Sequence, residues 1–192
     1  MVTTPRTQAA LTTPSLFQSA RLTYRGFRDS DFNEWFEAWN EPEIQEGGNP
    51  IVKPSDEGSI KAKIKTWSET WALCLVVTDT NTEEFVGWVA LSWARPRDGE
   101  LGMFVKRSQW GKGYGTEMCS WVVQHAFNFL DAHRVSLVVF ESNKRALSLY
   151  QRVGFVQEGV RRHARFAHGR WEDVINMGIL DKDFFDKGGE RT

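Results

Sequence analysis

Apolar positions along the chain change their period several times, and each change marks an element. From about Ala20 to Phe27 they alternate, with Leu22, Tyr24 and Gly26 on one face, which predicts a first strand. Phe32, Trp35, Phe36 and Trp39 then recur at helical spacing. They predict an amphipathic helix that Ser30 or Asp31 caps and Glu41-Pro42 ends. Ile44 to Pro54 contains Gly and Pro and reads as a loop. Ser55 with Gly58 opens a second helix to about Thr70, with Ile60, Ile64 and Trp67 on one face.

The period then shortens. Trp71 to Thr78 is a continuous apolar run closed by the turn cluster Asp79 to Thr82, and Glu84 to Ser92 is a second such run, so the pair reads as a hairpin. Arg95 to Gly99 is a further turn and Glu100 to Lys106 another strand. Thr116 to Leu130 is helical and apolar on more than one face, the mark of a helix packed on both sides against a sheet. Arg134 to Phe140 is β-branched and predicts a central strand. Asn143 to Val153 is a short helix with Leu147, Tyr150 and Val153 on one face, stopped by Gly154. Phe155 to Phe166 and Trp171 to Leu180 are strands around the turn Ala167 to Arg170. The order β-α-α-β-β-β-α-β-α-β-β predicts an α+β fold: a mixed, largely antiparallel central sheet with flanking helices and one βαβ unit in the middle.

Composition narrows the class. A chain of 192 residues, 41% hydrophobic and 26% charged, suits one domain with a real core. The expected division is a disordered lead-in over residues 1–19, one domain over 20–181 and a charged tail over 182–192. Residues 1–15 are rich in Thr, Pro and Ala and lack the apolar stretch of a secretory signal. A net charge of −1 gives no bulk argument for nucleic acid or a membrane surface. Cys74 and Cys119 sit far apart among apolar residues and read as reduced core residues of a cytoplasmic protein. No CxxC pair occurs and the four His lack ligand spacing, so no metal site is expected. Nine Trp are spread along the chain and mark no repeat.

The candidate chemistry begins at Gln109-Trp110-Gly111-Lys112-Gly113-Tyr114-Gly115-Thr116. Glycines at every second position, where a strand turns into a helix, leave several backbone N–H groups aimed at one place beside the positive end of the helix dipole. Such a loop suits phosphate or pyrophosphate. It is not a P-loop, because Lys112 is followed by Gly113 and no glycine precedes at the right distance. It is not a dinucleotide fingerprint either, because the third glycine position is Met118. A tight turn without ligand has the same glycines.

A second segment, Glu141-Ser142-Asn143-Lys144-Arg145-Ala146-Leu147-Ser148-Leu149-Tyr150-Gln151-Arg152-Val153-Gly154-Phe155, changes that balance. With Gln109 to Thr116 it resembles the GNAT superfamily of acetyl-CoA-dependent N-acetyltransferases, over nearly the whole chain from about Leu22 to Leu180. The resemblance is nearest to the branch that acetylates ribosomal-protein N-termini. It rests there on Ala20-Arg21-Leu22, on Trp110 to Glu117, and on Gly154-Phe155 leading to Glu158-Gly159. Aligned on Gly113 and Gly115, the family's first loop position, Gln or Arg, is Trp110 here, with Gln109 one residue earlier.

The resemblance implies acetyl-CoA as co-substrate. It implies pyrophosphate held by the backbone amides of Gly111, Lys112, Gly113, Tyr114, Gly115 and Thr116, with Lys112 adding charge. The pantetheine would lie along Met103, Phe104 and Val105, where a bulge splays the strand from its neighbour and Gly102 permits a break in the ladder. Asn143 would cap the following helix and bond the pantetheine arm, with Ala146 beside it. Tyr150 is the implied general acid: with an unperturbed pKa of about 10 it can give its proton to a departing thiolate. Glu100 is the candidate base, Glu141 its rival, and an amine that arrives neutral needs neither.

The acceptor implied is an amine: a peptide N-terminus, a polyamine or a small amine. Glu34, Glu37, Glu41, Glu43 and Glu46 make the early helix and loop acidic, which fits a cationic amine but equally a solvated face. Arg161-Arg162-His163-Ala164-Arg165 is basic, yet strand alternation spreads it over two faces, so nucleic acid is not expected. No membrane partner is expected, and the assembly is expected to be a monomer or homodimer. The rival class is a binding module that holds a CoA ester as sensor or scaffold without turning it over.

Overall fold

The computed structural model describes residues 16–186 and residue 188. Most of the expected lead-in and the end of the tail lie outside the described residues. The elements are β1 (Leu22–Gly26), α1 (Phe32–Trp39), α2 (Pro42–Gly48), α3 (Glu57–Thr70), β2 (Leu73–Asp79), β3 (Phe85–Arg95), β4 (Asp98–Val105), α4 (Tyr114–Phe129), β5 (Arg134–Phe140), α5 (Lys144–Val153), β6 (Val156–Ala167), β7 (Arg170–Leu180) and α6 (Asp181–Asp186). The seven strands form one sheet in the order β1-β2-β3-β4-β5-β7-β6. Neighbours are antiparallel except β4 and β5, which α4 connects as the one βαβ unit.

The sheet divides two cores. On one face α4 lays Met118, Cys119, Val122 and Val123 against Val89, Leu101, Val135 and Leu137. On the other, Trp35 and Ala38 of α1 and Ile60 and Ile64 of α3 cover Val76, Trp88 and Phe104. Strand alternation explains the split within β4: Leu101, Met103 and Val105 face α4, and Phe104 faces the aromatic core.

Three local expectations are corrected. Pro42 does end α1, but it also starts α2, because proline at the first helical position gives up an N–H that has no partner there anyway. The stretch from Ile44 is therefore helical up to Gly48, with Ile44 buried, and only then a loop. Asp31 does not cap α1 with its side chain. Its carboxylate instead accepts from Arg28 N at 2.7 Å and pairs with Arg25 at 2.7 Å. The third concerns the strand before the loop. The β3–β4 register runs unbroken from Leu101 to Val105, and its shift lies between Trp93 and Arg95.

The splay of β4 has another cause. Its ladder with β5 consists of Asp98↔Arg134, Gly99↔Val135 and Glu100↔Ser136 and then stops. Beyond it β4 stays with β3 to Val105↔Gly87, while β5 stays with β7 to Phe140↔Val174. At Gly87 the two backbones approach so closely that an added Cβ would meet the Phe104 carbonyl at 2.2 Å. The two halves of the sheet thus part company after Glu100 and Ser136.

Candidate active site

The gap between β4 and β5 opens into a cleft of about 680 Å³ that passes from the α4–α5 face of the sheet to the α1–α3 face. The glycine loop closes one end. Gly111 and Gly113 have φ of +80° and +83°, a left-handed conformation that a side chain disfavours. Gly113 precedes the first turn of α4, whose leading N–H groups have no carbonyl within the helix to reach. The Thr116 amide is the exception: it donates to the Gly113 carbonyl at 3.1 Å. The amides of Gly111 to Gly115 remain, and that is one position fewer than expected.

Side chains around the loop hold it in shape. Glu117, in the first turn of α4, would oppose an anion by itself. Its carboxylate accepts from Ser19 Oγ at 2.7 Å and from Arg21 N and Nε at 2.8 Å each. Arg21 also donates to the Lys112 carbonyl at 2.9 Å, so it neutralises Glu117 and braces the loop together. Lys112 Nζ donates to Gln109 Oε1 at 2.7 Å, which keeps its charge beside the loop. Gly115 serves packing, since a Cβ there would meet Leu149 Cδ1 at 2.8 Å across the α4–α5 contact. The Tyr114 ring is buried, and its hydroxyl donates to Asp79 Oδ2 at 2.7 Å. Trp110 donates its indole N–H to the Val105 carbonyl at 2.6 Å, and the Arg145 guanidinium sits 3.2 Å from its ring centroid.

The open strand edge can be followed by register. Lys106 N–H donates to the Val86 carbonyl at 2.9 Å. In an antiparallel pair the direction of the backbone groups alternates, so Leu101, Met103 and Val105 turn theirs away from β3. Leu101 and Met103 face the gap, and the Val105 carbonyl is the one Trp110 takes. Met103 and Val105 line the cleft on the α4–α5 side, whereas the Phe104 side chain turns into the aromatic core, 5.6 Å from Trp35.

Tyr150, on α5, lines the same side of the cleft and packs on Phe155 at 5.8 Å. Burial pushes its phenol pKa up, and Cys119 close by adds to the effect. Asn143 caps α5: its Oδ1 accepts from the Ala146 amide at 3.1 Å. Its Nδ2 donates to the Gly47 carbonyl of α2 at 3.3 Å, a tie no spacing in the sequence announces. Glu100 lies on the other side of the gap, exposed, in register with Ser92 on β3 and Ser136 on β5. Glu141 does not line the cleft; its carboxylate accepts from Asp173 N at 3.4 Å. The two carboxylates considered as base are therefore not equivalent in position.

The acidic early residues are mostly engaged. Glu34 pairs with Lys106 at 2.7 Å and Glu43 with Arg107 at 2.7 Å, Glu41 accepts from Arg107 N at 3.0 Å, and Glu46 Oε2 lies 3.6 Å from His168 Nε2. In the basic stretch, Arg165 is turned inward, paired with buried Glu172 at 2.7 Å and stacked on Phe140 at 3.8 Å. The four tryptophans Trp39, Trp67, Trp71 and Trp88 converge on the α1–α3 side of the cleft. Sequence reasoning missed that wall, because the rings come from four separate places in the chain. Cys74 and Cys119 are free and buried, and burial raises both thiol pKa values. Among the described residues no three His, Cys, Asp or Glu side chains gather as a metal site, and no helix is long and apolar enough to cross a membrane.

Known proteins share this architecture. Residues 21–156 match the family model described as an acetyltransferase (GNAT) domain. An uncharacterised N-acetyltransferase, p20, of Bacillus licheniformis is 25% identical over 169 residues, which span 85% of this chain and 95% of that protein. The spermidine N(1)-acetyltransferase of Vibrio cholerae is 30% identical over 91 residues, 47% of this chain and 53% of that protein. A crystal structure of spermidine N-acetyltransferase from Vibrio cholerae in complex with CoA and spermine superposes with a TM-score of 0.79. That superposition covers 87% of this chain and 99% of the other at 23% identity, and it shows the shared fold.

Proposed function

The chain belongs to the GNAT acetyltransferase family, and from that premise we propose that it moves the acetyl group of acetyl-CoA onto a primary amine by direct attack within a ternary complex. The observation that carries this reading is the open edge of β4. It places an unpaired strand edge, an amide-lined loop, a tyrosine and a carboxylate around one gap.

The residues present fit the coenzyme. Its pyrophosphate matches the amides of Gly111 to Gly115, which the left-handed glycines aim at one point, with the Lys112 charge beside them. Its pantetheine amides match the strand edge from Leu101 to Val105, as an added strand would. Asn143 fits less directly. Both ends of its side-chain amide are already bonded, so its part is to hold α5 and α2 around the arm rather than to bond it. The Tyr114 side chain likewise contributes an anchor, its hydroxyl on Asp79 and its ring 4.6 Å from the Arg21 guanidinium, which leaves its backbone N–H as its part in the loop.

Bound acetyl-CoA supplies an activated acyl carbon in the form of a thioester. The chain supplies the rest. The Met103 N–H, on the open edge of β4, would polarise the carbonyl where negative charge develops. Tyr150 holds a proton for the sulfur as it leaves. Burial, and then Cys119 close by, raise its pKa and so keep the phenol protonated until a thiolate is there to receive the proton. Glu100, on the opposite side, takes the proton that the amine must lose to become a nucleophile.

The test is mass spectrometry of a library of peptides and amines incubated with the protein and acetyl-CoA. The expected result is acetylated amine that forms only with the protein present. Tight CoA binding by calorimetry with no amine acetylated would replace the reading with that of a sensor.

A further inference from the structure

The acceptor side of the cleft has a composition of its own. Trp67 and Trp71 stack with centroids 4.8 Å apart and planes 18° apart. Trp88 lies 5.7 Å from Trp67 and 6.2 Å from Trp71, and Trp39 lies 6.3 Å from Trp67. Trp35, also part of this aromatic core, is fully buried, as packing alone would require. Trp39, Trp67 and Trp71 are not: each keeps part of its surface open where it borders the cleft. Val138, on the facing strand, is 48% exposed in the middle of the sheet and lines the same space. Large apolar surface held open in a concave site marks a place where apolar surface binds.

The charge count is equally specific. Two carboxylates border the cleft, Glu43 and Glu100. Glu43 is spent on Arg107 at 2.7 Å. Glu100 has no ion pair among the described residues. The cations on the cleft, Arg145 and Arg152, belong to α5 on the cofactor side. One free carboxylate balances one ammonium. A polyamine would bring further positive charges onto indole and valine surface with no carboxylate to receive them, and desolvating unpaired charge is costly. The stacked pair also turns ring faces toward each other, which leaves less face for a cation to cover.

Building on the transferase reading, we propose that the acceptor is a primary monoamine with a flat apolar body, an arylalkylamine by chemical class. The body lies against Trp39, Trp67 and Trp71, and the amine reaches Glu100.

The experiment measures binding and turnover separately. Phenethylamine and spermidine are titrated calorimetrically into the protein loaded with CoA, and into Trp67→Leu and Trp71→Leu. Phenethylamine is expected to bind at least about tenfold more tightly than spermidine, and each variant to weaken phenethylamine about tenfold with spermidine changed less than about twofold. CoA titration of each variant checks that the cofactor side stands. If a variant loses CoA affinity, the other variant and the wild-type ratio decide. Equal or tighter binding of spermidine overturns the proposal, as does phenethylamine binding that neither variant changes. Acetylation of spermidine with phenethylamine inert sinks the proposal and leaves the transferase reading standing. Tryptophan-dependent phenethylamine binding with no amine acetylated does the reverse.

Discussion

Asp79 and Tyr114 tie the end of β2 to the first residue of α4: the Tyr114 hydroxyl donates to Asp79 Oδ2 at 2.7 Å. Asp79 Oδ1 also accepts from Asn81 N at 2.9 Å and Thr82 N at 3.1 Å, so one carboxylate shapes the β2–β3 turn and anchors the glycine loop. The bond fixes the entry of α4, and with it the direction of the loop amides.

Tyr114→Phe should therefore weaken CoA binding several-fold while sparing the fold, and its effect on stability should depend on pH. Hydrogen bonding from Tyr114, then from the turn amides, holds the Asp79 pKa below the ordinary 3.8. The same bond holds the Tyr114 pKa above the ordinary 10.0. A depressed carboxyl contributes stability above its unfolded pKa and loses it as pH falls through the folded value. A raised phenol contributes below its unfolded pKa and loses it as pH rises through the folded one. The stability difference between wild type and variant should thus be flat between pH 3.8 and 10.0 and shrink on both sides. Urea unfolding across the pH range checks this; a difference independent of pH would mean the bond is not made in solution.

Tyr150→Phe removes one hydroxyl from a residue that otherwise keeps its packing on Phe155. Turnover should fall about a hundredfold, the usual worth of a positioned general acid. CoA affinity should stay nearly unchanged, because the hydroxyl makes no hydrogen bond among the described residues that shapes the loop or α5. Single-turnover acetylation paired with CoA calorimetry separates the two quantities. Equal turnover removes Tyr150 from the chemistry.

Much of this was legible in the residues. Arg134 to Phe140 is a strand because its β-branched run sits between two neighbours, and α5 begins at Asn143 and ends at Gly154 as capping chemistry dictates. The two motifs, Gln109 to Thr116 and Glu141 to Phe155, together resembled the family that the match over residues 21–156 shows. What stayed hidden depends on distance in space. Pro42 looks the same whether it ends one helix or starts the next, and only the burial of Ile44 decides. Tyr114 reads as a loop residue until Asp79, 35 positions away, claims its hydroxyl. The tryptophan wall joins α1, α3, the α3–β2 junction and β3, and no periodicity links those places.

Glu100→Gln keeps shape and removes the charge on the acceptor side. If Glu100 accepts the amine's proton, the variant must wait for amine that is already neutral in solution. Its rate near pH 7 should then rise about tenfold per pH unit, following the neutral fraction, where wild type is flatter. The pH profile of kcat/KM for both proteins checks it. Parallel profiles would show that the amine arrives neutral without help from Glu100.

Glu172 gives the sharpest prediction about stability, and it reaches the site as well. It and Arg165 are both about 2% exposed, paired at 2.7 Å on the β6–β7 hairpin. Burial by itself would raise the Glu172 pKa, but hydrogen bonds from Ser142 and the Arg165 charge hold it below the ordinary value. Glu172→Ala strands a buried guanidinium whose Nε and Nη2 already have no hydrogen-bond partner. Breaking such a pair costs about 3–5 kcal/mol. Glu57→Ala, which breaks an exposed pair with Lys61 at 2.5 Å, should cost no more than about 0.5 kcal/mol. Glu172 also accepts from Ser142 N at 3.2 Å, directly before Asn143 and the start of α5. The surviving fraction of Glu172→Ala should thus bind CoA more weakly, whereas Glu57→Ala should not. Denaturant unfolding and CoA calorimetry on both variants make the comparison, and equal losses of stability in the two would show that Arg165 finds another partner.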